Sequence, residues 1–138
     1  MGSEMCIRDR STAGLARGGK EQAIHTASLS TLAGATTCTT GIEWLGRPEQ
    51  AKYHQLAKAA QLNRIGGDCY LFALVAMGQI HVGLDGSLNA YDIQALIPII
   101  RGAGGVITTW DGGNPSLGGH VVASANEALH EQALEKLR

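Results

Sequence analysis

The stretch GGDCYLFALVAMGQIHVGLDGSLNAYDIQALIPIIRGAGGV, Gly66 to Val106, changes its hydrophobic period from element to element. After the Gly66-Gly67 break, Asp68 reads as the cap of a helix whose Leu71, Leu74, Val75 and Gly78 fall on one face, with Gly78 as its stop. Ile80 to Leu84 reads as a strand and Asp85-Gly86-Ser87 as a turn. From Asp92 a second helix is expected, with Ile93, Leu96, Ile97 and Ile100 on one face. Pro98 falls inside that pattern, lacks a backbone donor and crowds the carbonyl of Gln94, so the helix should bend or tighten there. Gly102-Ala103-Gly104-Gly105 closes it.

The same alternation continues outward. Downstream, Val106 to Trp110 reads as a strand, Asp111-Gly112-Gly113-Asn114-Pro115 as turn chemistry and His120 to Ser124 as another strand. Asn126 then caps a last helix with Glu127 in its first turn and Leu129, Ala133 and Leu137 along it. Upstream, Pro48 suits a helix first turn, and Tyr53, Leu56, Ala57 and Ala60 share one face. Gln22 to Thr26 and Leu32 to Thr37 read as short strands. Strands alternating with helices make the class α/β or a mixed α-β sandwich.

Composition narrows the function classes. The 138 residues are 44% hydrophobic and 17% charged, enough for a packed core in one domain or part of one. Eleven Lys and Arg against twelve Asp and Glu leave a net charge of -1, so no broad positive field draws in nucleic acid or anionic membrane. Any phosphate recognition must be local. The cysteines Cys6, Cys38 and Cys69 are odd in number and lack a C-x-x-C pair, which argues against a disulfide framework or zinc knuckle and for a reducing cytoplasm. No apolar run suits a membrane span. The opening MGSEMCIRDR resembles translated sequencing-adapter sequence and is set aside as a non-native leader, residues 1–10. The expectation is a natural gene interrupted near Ser11, with 11–138 the C-terminal part of a domain.

Several motif matches fail on context. Gly14 to Lys20 fits G-x-x-x-x-G-K, but Glu21 replaces the hydroxyl that would hold Mg²⁺ and no hydrophobic strand precedes it. Gly102-x-Gly104 has Ile107 where a dinucleotide loop needs a third glycine. The five histidines show neither H-E-x-x-H nor a zinc spacing, so core or solvated roles are the default. Asp92, taken alone, is a helix cap.

Taken together, Gly66-Gly67-Asp68-Cys69-Tyr70, Asp85 to Asp92, Ala95-Leu96-Ile97-Pro98 and Gly102-Ala103-Gly104-Gly105-Val106 resemble the second signature of the inositol monophosphatase family. Tyr91-Asp92 stands for the family's usual Trp-Asp, and Arg101-Gly102-Ala103-Gly104-Gly105 for its Glu-Ala-Gly-Gly. The Gly-Gly-Asp-Cys-Tyr run and the Tyr-Asp-Ile with Ala-Leu-Ile-Pro look like the histidinol-phosphatase branch. The resemblance covers about Ser11 to Arg138 and implies a layered α-β-α-β-α sandwich of which this chain carries the C-terminal half.

It also implies a chemistry. Asp92 matches the metal-binding aspartate and would hold one Mg²⁺, with the N–H groups of its helix start also turned toward phosphate. Gly66, Gly67 and Asp68 match a loop lining the substrate pocket, and Asp85 takes the place of a substrate-binding Glu. The family's other ligands come from an upstream acidic pair and an Asp-Pro-x-Asp-Gly-Thr/Ser motif that supplies the water-activating hydroxyl. Neither is here, since no Asp of this sequence is followed by Pro, and no residue matches a catalytic role. His81 stands where relatives commonly carry Asp.

The resemblance thus implies a Mg²⁺-dependent phosphomonoesterase fragment acting on a small phosphorylated substrate, L-histidinol phosphate in histidine biosynthesis. Inositol phosphate or another sugar phosphate is the alternative substrate. A non-catalytic homologue, or a half-domain forming a homodimer over an exposed sheet edge, is the alternative of a different class.

Overall fold

In the computed structural model, which describes the backbone of residues 4–9 and all of residues 12–138, the sheet that matters most holds five strands. They are β4 (Thr36–Thr39), β5 (Leu62–Ile65), β6 (Val82–Asn89), β7 (Val106–Thr109) and β8 (Gly118–Ser124), in the order β5-β4-β6-β8-β7. β4 runs parallel to both β5 and β6, while β8 is antiparallel to β6 and β7. A second sheet joins β1 (Glu4–Asp9), β2 (Thr12–Arg17) and β3 (Lys20–Ala23) as antiparallel neighbours. The glycine-lysine match at Gly14 to Lys20 is therefore strand, tight turn and strand, with no helix after it to form a phosphate loop.

Five α-helices among the described residues fill the layers. α1 (Arg47–Ala59) and α5 (Glu127–Leu137) cover one face of the large sheet, and α2 (Tyr70–Ala76) and α4 (Leu96–Gly102) the other, with the four-residue α3 (Ala90–Ile93) after β6. The period-2 alternation of β8 splits the core. Val121 and Ala123 join Leu71, Val75, Ile93, Ile100 and Ile107 on the α2/α4 side. Val122 joins Tyr53, Leu56, Val82, Leu84, Leu129 and Leu137 on the α1/α5 side. Ala13 of β2 and Ile24 close the first cluster from the small sheet. The layers run small sheet, helices, large sheet, helices, in keeping with the layered sandwich expected.

Local chemistry explains the elements. Arg47 and Pro48 open α1, and its expected face buries Tyr53 and Leu56. Asn126 caps α5 by accepting the N–H of Leu129 at 3.1 Å. Four readings need correction. Asp68 does not cap α2, which starts after Cys69 without a side-chain cap, and β5 forms from Leu62–Ile65 where no strand was expected. Asp85-Gly86-Ser87 is not a turn but lies inside β6, where the register against β8 shifts between Asp85 and Leu88 and Ser87 takes a positive φ of 58°. The helix from Asp92 is two helices, parted at Gln94 and Ala95. Pro98 lies in the first turn of α4, where its missing donor would have had no helical partner.

Two histidines are structural. His81 Nδ1 accepts the backbone N–H of Thr36 at 3.0 Å, doing what a carboxylate oxygen would do at that place. His130, 2% exposed, lies between Ser124 Oγ at 3.0 Å from Nδ1 and Thr108 Oγ1 at 2.8 Å from Nε2. Thr108 donates to the carbonyl of Thr109, so its oxygen is left to accept from Nε2–H and Nδ1 accepts from Ser124. No helix among the described residues is long and apolar enough to cross a membrane.

Candidate active site

Three segments far apart in sequence meet at one end of the large sheet. The Gly66–Gly67 loop is tied to the end of β4, with Gly66 N–H donating to the carbonyl of Thr39 at 2.8 Å. Its φ angles of 110° and 112° lie where a side chain is strained, so the run depends on glycine. Asp68 follows at φ 45° and faces the cavity beyond it. Asp85 comes from β6, and Asp92 from α3.

Asp68, Asp85 and Asp92 line one cavity of about 360 Å³, together with Thr40, Trp44, Cys69, Gly86, Ser87 and Leu88. Among the described residues no lysine, arginine or histidine is on its wall. Of the residues expected from sequence, the three aspartates are thus brought together. Gly66 and Gly67 shape the loop that presents Asp68 without lining the space themselves.

Asp85 is only 5% exposed. Burial pushes its pKa up, and the neighbouring charges of Asp68 and Asp92 push the same way. The nearby Thr40 hydroxyl and the N–H of Gly86, which donates to Oδ1 at 3.1 Å, pull it down. The Thr40 hydroxyl is itself buried and makes no full hydrogen bond in this geometry. A buried carboxylate so weakly compensated favours a cation beside it.

Asp92 sits one turn into α3, where Asn89 N–H donates to its Oδ2 at 2.7 Å. The expectation that N–H groups of a long helix start would face phosphate is corrected here, because α3 has four residues and Asp92 is third among them. One oxygen caps, which leaves Oδ1 for a ligand. Among the described residues no three His, Cys, Asp or Glu side chains come close enough to share one ion. Mg²⁺ sheds its water reluctantly, so these residues do not by themselves make a complete metal site.

Behind the cavity the wall is tight. A Cβ on Gly86 would run into Leu45 Cδ2 and come within 2.8 Å of His120 Nδ1, so a larger residue at the bulge would have to displace both buried side chains. His120 packs against Trp110 with ring centroids 5.1 Å apart and planes tilted by 36°, and lines a second cavity of about 470 Å³ between α1 and α5. That larger space holds none of the motif residues, and the smaller one, where the carboxylates converge, is the candidate site.

Thr40 and Trp44 escaped sequence reasoning, while Cys69, Ser87 and Leu88 lay inside the motif runs without being given a role. Thr39-Thr40-Gly41 carries no catalytic spacing, and nothing in the spacing around Trp44 sets it apart.

The chain matches the model of the inositol monophosphatase family over residues 13–138. It is 32% identical over 123 residues to the chloroplastic bifunctional phosphatase IMPL2 of Arabidopsis thaliana, covering 83% of this chain and 36% of that protein. It is 32% identical over 107 residues to a histidinol-phosphatase of Chlorobaculum parvum, covering 77% of this chain and 41% of the relative. An inositol monophosphatase from Zymomonas mobilis superposes with a TM-score of 0.82 at 28% identity, over 91% of this chain and 52% of that one. The chain thus spans between 36% and 52% of the length of these proteins.

Proposed function

The chain belongs to the inositol monophosphatase family, whose members are metal-dependent phosphatases, and from that premise we propose that it supplies the substrate-reading part of a Mg²⁺-dependent phosphomonoesterase. The substrate of this reading is L-histidinol phosphate, and the product L-histidinol. Residues 11–138 would then be the C-terminal part of the domain.

The observation that carries it is the cavity in which three carboxylates meet with no basic residue, among those described, on the wall. Such a field repels bare phosphate and favours cations at both ends of a substrate. One cation is the metal that phosphate chemistry needs, which when bound activates water and neutralises phosphate oxygens. The other is the ammonium and imidazole of histidinol, both able to donate to Asp85 and Asp68. Asp92, with Oδ1 left open, suits one carboxylate ligand of the metal, the remainder having to come from residues beyond those described. Inositol phosphate has only hydroxyls to offer the same carboxylates, so the field gains less from it.

Phosphate release from L-histidinol phosphate and inositol 1-phosphate tests this, with Mg²⁺ titrated against the chain alone and against the chain joined to the upstream part of its domain. Preference for histidinol phosphate in the joined protein is expected. Equal or reversed preference would move the reading to sugar phosphates, and no release from either would leave a non-catalytic homologue.

A further inference from the structure

Trp44 is 65% exposed, whereas the other tryptophan, Trp110, is 5% exposed and donates Nε1–H to the carbonyl of Val121. An indole left in water forgoes the burial that usually holds a ring in place. The backbone under Trp44 is nevertheless fixed. Leu45, the next residue, is 3% exposed and packs against Gly86, while Gln50 Nε2 donates to the carbonyls of Ile42 and Leu45 at 3.1 and 2.9 Å. Ser87 Oγ donates to the carbonyl of Trp44 at 3.3 Å, joining this loop to the β6 bulge. A residue whose neighbour is anchored in the core and which itself lines the acidic cavity with an exposed ring is held ready for something outside the chain.

We propose that Trp44 is the specificity-determining residue of this cavity, its indole face selecting substrates whose organic end is a flat cation, such as an imidazolium, over uncharged polyols. This rests on the phosphatase reading for the identity of the site and goes beyond it in naming what chooses the substrate. The physical basis is additive. Asp68 and Asp85 attract a cation of any shape, but the ring quadrupole of an indole rewards a cation laid over its face, and stacking rewards one that is planar. A polyol gains from neither. Met, Leu or Lys in the same place would leave the carboxylates without this shape filter.

The chain reports on itself, because Trp44 emits from a solvent-exposed place and Trp110 from a buried one. Titration of the 138-residue chain with L-histidinol should shift or quench the exposed component saturably, while myo-inositol leaves it unchanged. Trp44→Phe should abolish the signal, with the Trp110 emission showing that the fold is intact. By calorimetry, Trp44→Ala should weaken L-histidinol binding roughly five- to thirtyfold, and Trp44→Phe by less. Equal responses to L-histidinol and myo-inositol, or histidinol binding that is unchanged in Trp44→Ala, would overturn the proposal. In the joined protein the two readings separate. Hydrolysis with an unaltered substrate ratio in Trp44→Ala sinks the specificity role alone. Trp44-dependent histidinol binding without hydrolysis of any phosphate sinks the phosphatase reading and keeps the role of Trp44.

Discussion

Asp85 and His130 are both nearly sealed from solvent, at 5% and 2% exposure, and both titrate away from their ordinary range, yet they do opposite things. His130 has a partner on each ring nitrogen, and both partners are themselves engaged in the sheet and helix packing between β7, β8 and α5. Its hydrogen-bonding capacity is used up inside the protein. Asp85 takes one N–H from the residue beside it, faces a hydroxyl that makes no full bond, and shares its cavity with two other carboxylates. Burial alone therefore does not mark function. Unspent polar capacity turned toward a cavity does.

The sharpest way to break this comparison is at Asp92, whose open Oδ1 belongs with the cavity group. If Asp92 is the metal ligand proposed, Asp92→Asn in the joined protein should raise the Mg²⁺ needed for activity roughly a hundredfold or more, since a charge is lost while the amide oxygen can still accept from Asn89. Titrating Mg²⁺ against phosphate release measures this, and an unchanged curve would return Asp92 to a helix cap.

His130 should respond in stability and not in substrate recognition. Burial foremost, and then the charge of Arg138, lower its pKa from 6.5 to about 4. The fold holds the neutral ring, so this stabilisation is complete above the unfolded value and is lost as pH falls from about 6.5 toward 4, by roughly 2–3 kcal/mol. Urea melts between pH 7 and pH 4 should show the loss, and His130→Gln should flatten that part of the profile. A variant that keeps the full acid loss would show that other groups carry it.

Asp85 should show the reverse pattern. On the proposed reading Asp85→Asn would remove a charge-assisted hydrogen bond to the organic end of the substrate, worth about 1.5–3 kcal/mol, so kcat/KM for histidinol phosphate should fall roughly ten- to a hundredfold. Inositol phosphate and p-nitrophenyl phosphate should lose less. Because the folded pKa is raised, ionisation of Asp85 opposes folding once pH rises above the unfolded carboxylate value, and Asp85→Asn should melt higher than the parent at neutral pH. Equal losses on all three substrates, or a lower melting temperature, would place Asp85 with His130 as a structural group.

The smallest effect belongs to His81, which also spends its capacity internally. Protonation would remove the acceptor that Nδ1 gives to Thr36, and burial lowers its pKa so that the neutral form persists. His81→Asp restores an acceptor that does not depend on a neutral imidazole, so it should match the parent near pH 7 and be more stable by about 1 kcal/mol once His81 is protonated. Thermal melts at both pH values decide it, and identical acid sensitivity would remove His81 from the account.

The parts of this molecule legible in the sequence are those fixed by neighbours a few residues away. Pro48 and the Tyr53–Leu56 face announced α1, Asn126 announced α5, and Gly102 to Gly105 the end of α4. The order of aspartates along Gly66 to Asp92 pointed to the right family and to three of the cavity's side chains. Pairing across the sheet was not legible. Whether Asp85-Gly86-Ser87 is a turn or a bulged strand depends on β8 arriving beside it, and Leu62–Ile65 becomes a strand only because the edge of β4 is free to pair with it.

Sequence by itself determined where the main helices lie, the absence of a broad positive charge, and the presence of acidic residues in a recognisable run, because composition and short-range periodicity are properties of the chain alone. Only the tertiary structure decided which polar groups are spent and which are not. His130 and Asp85 are equally plain as letters. One is silenced by hydroxyls of β7 and β8 that lie 22 and 6 residues away in sequence, and the other is left facing Trp44 and Asp68, brought to it by the sheet. A side chain's free capacity is set by what packs against it, and that is fixed only when the layers close.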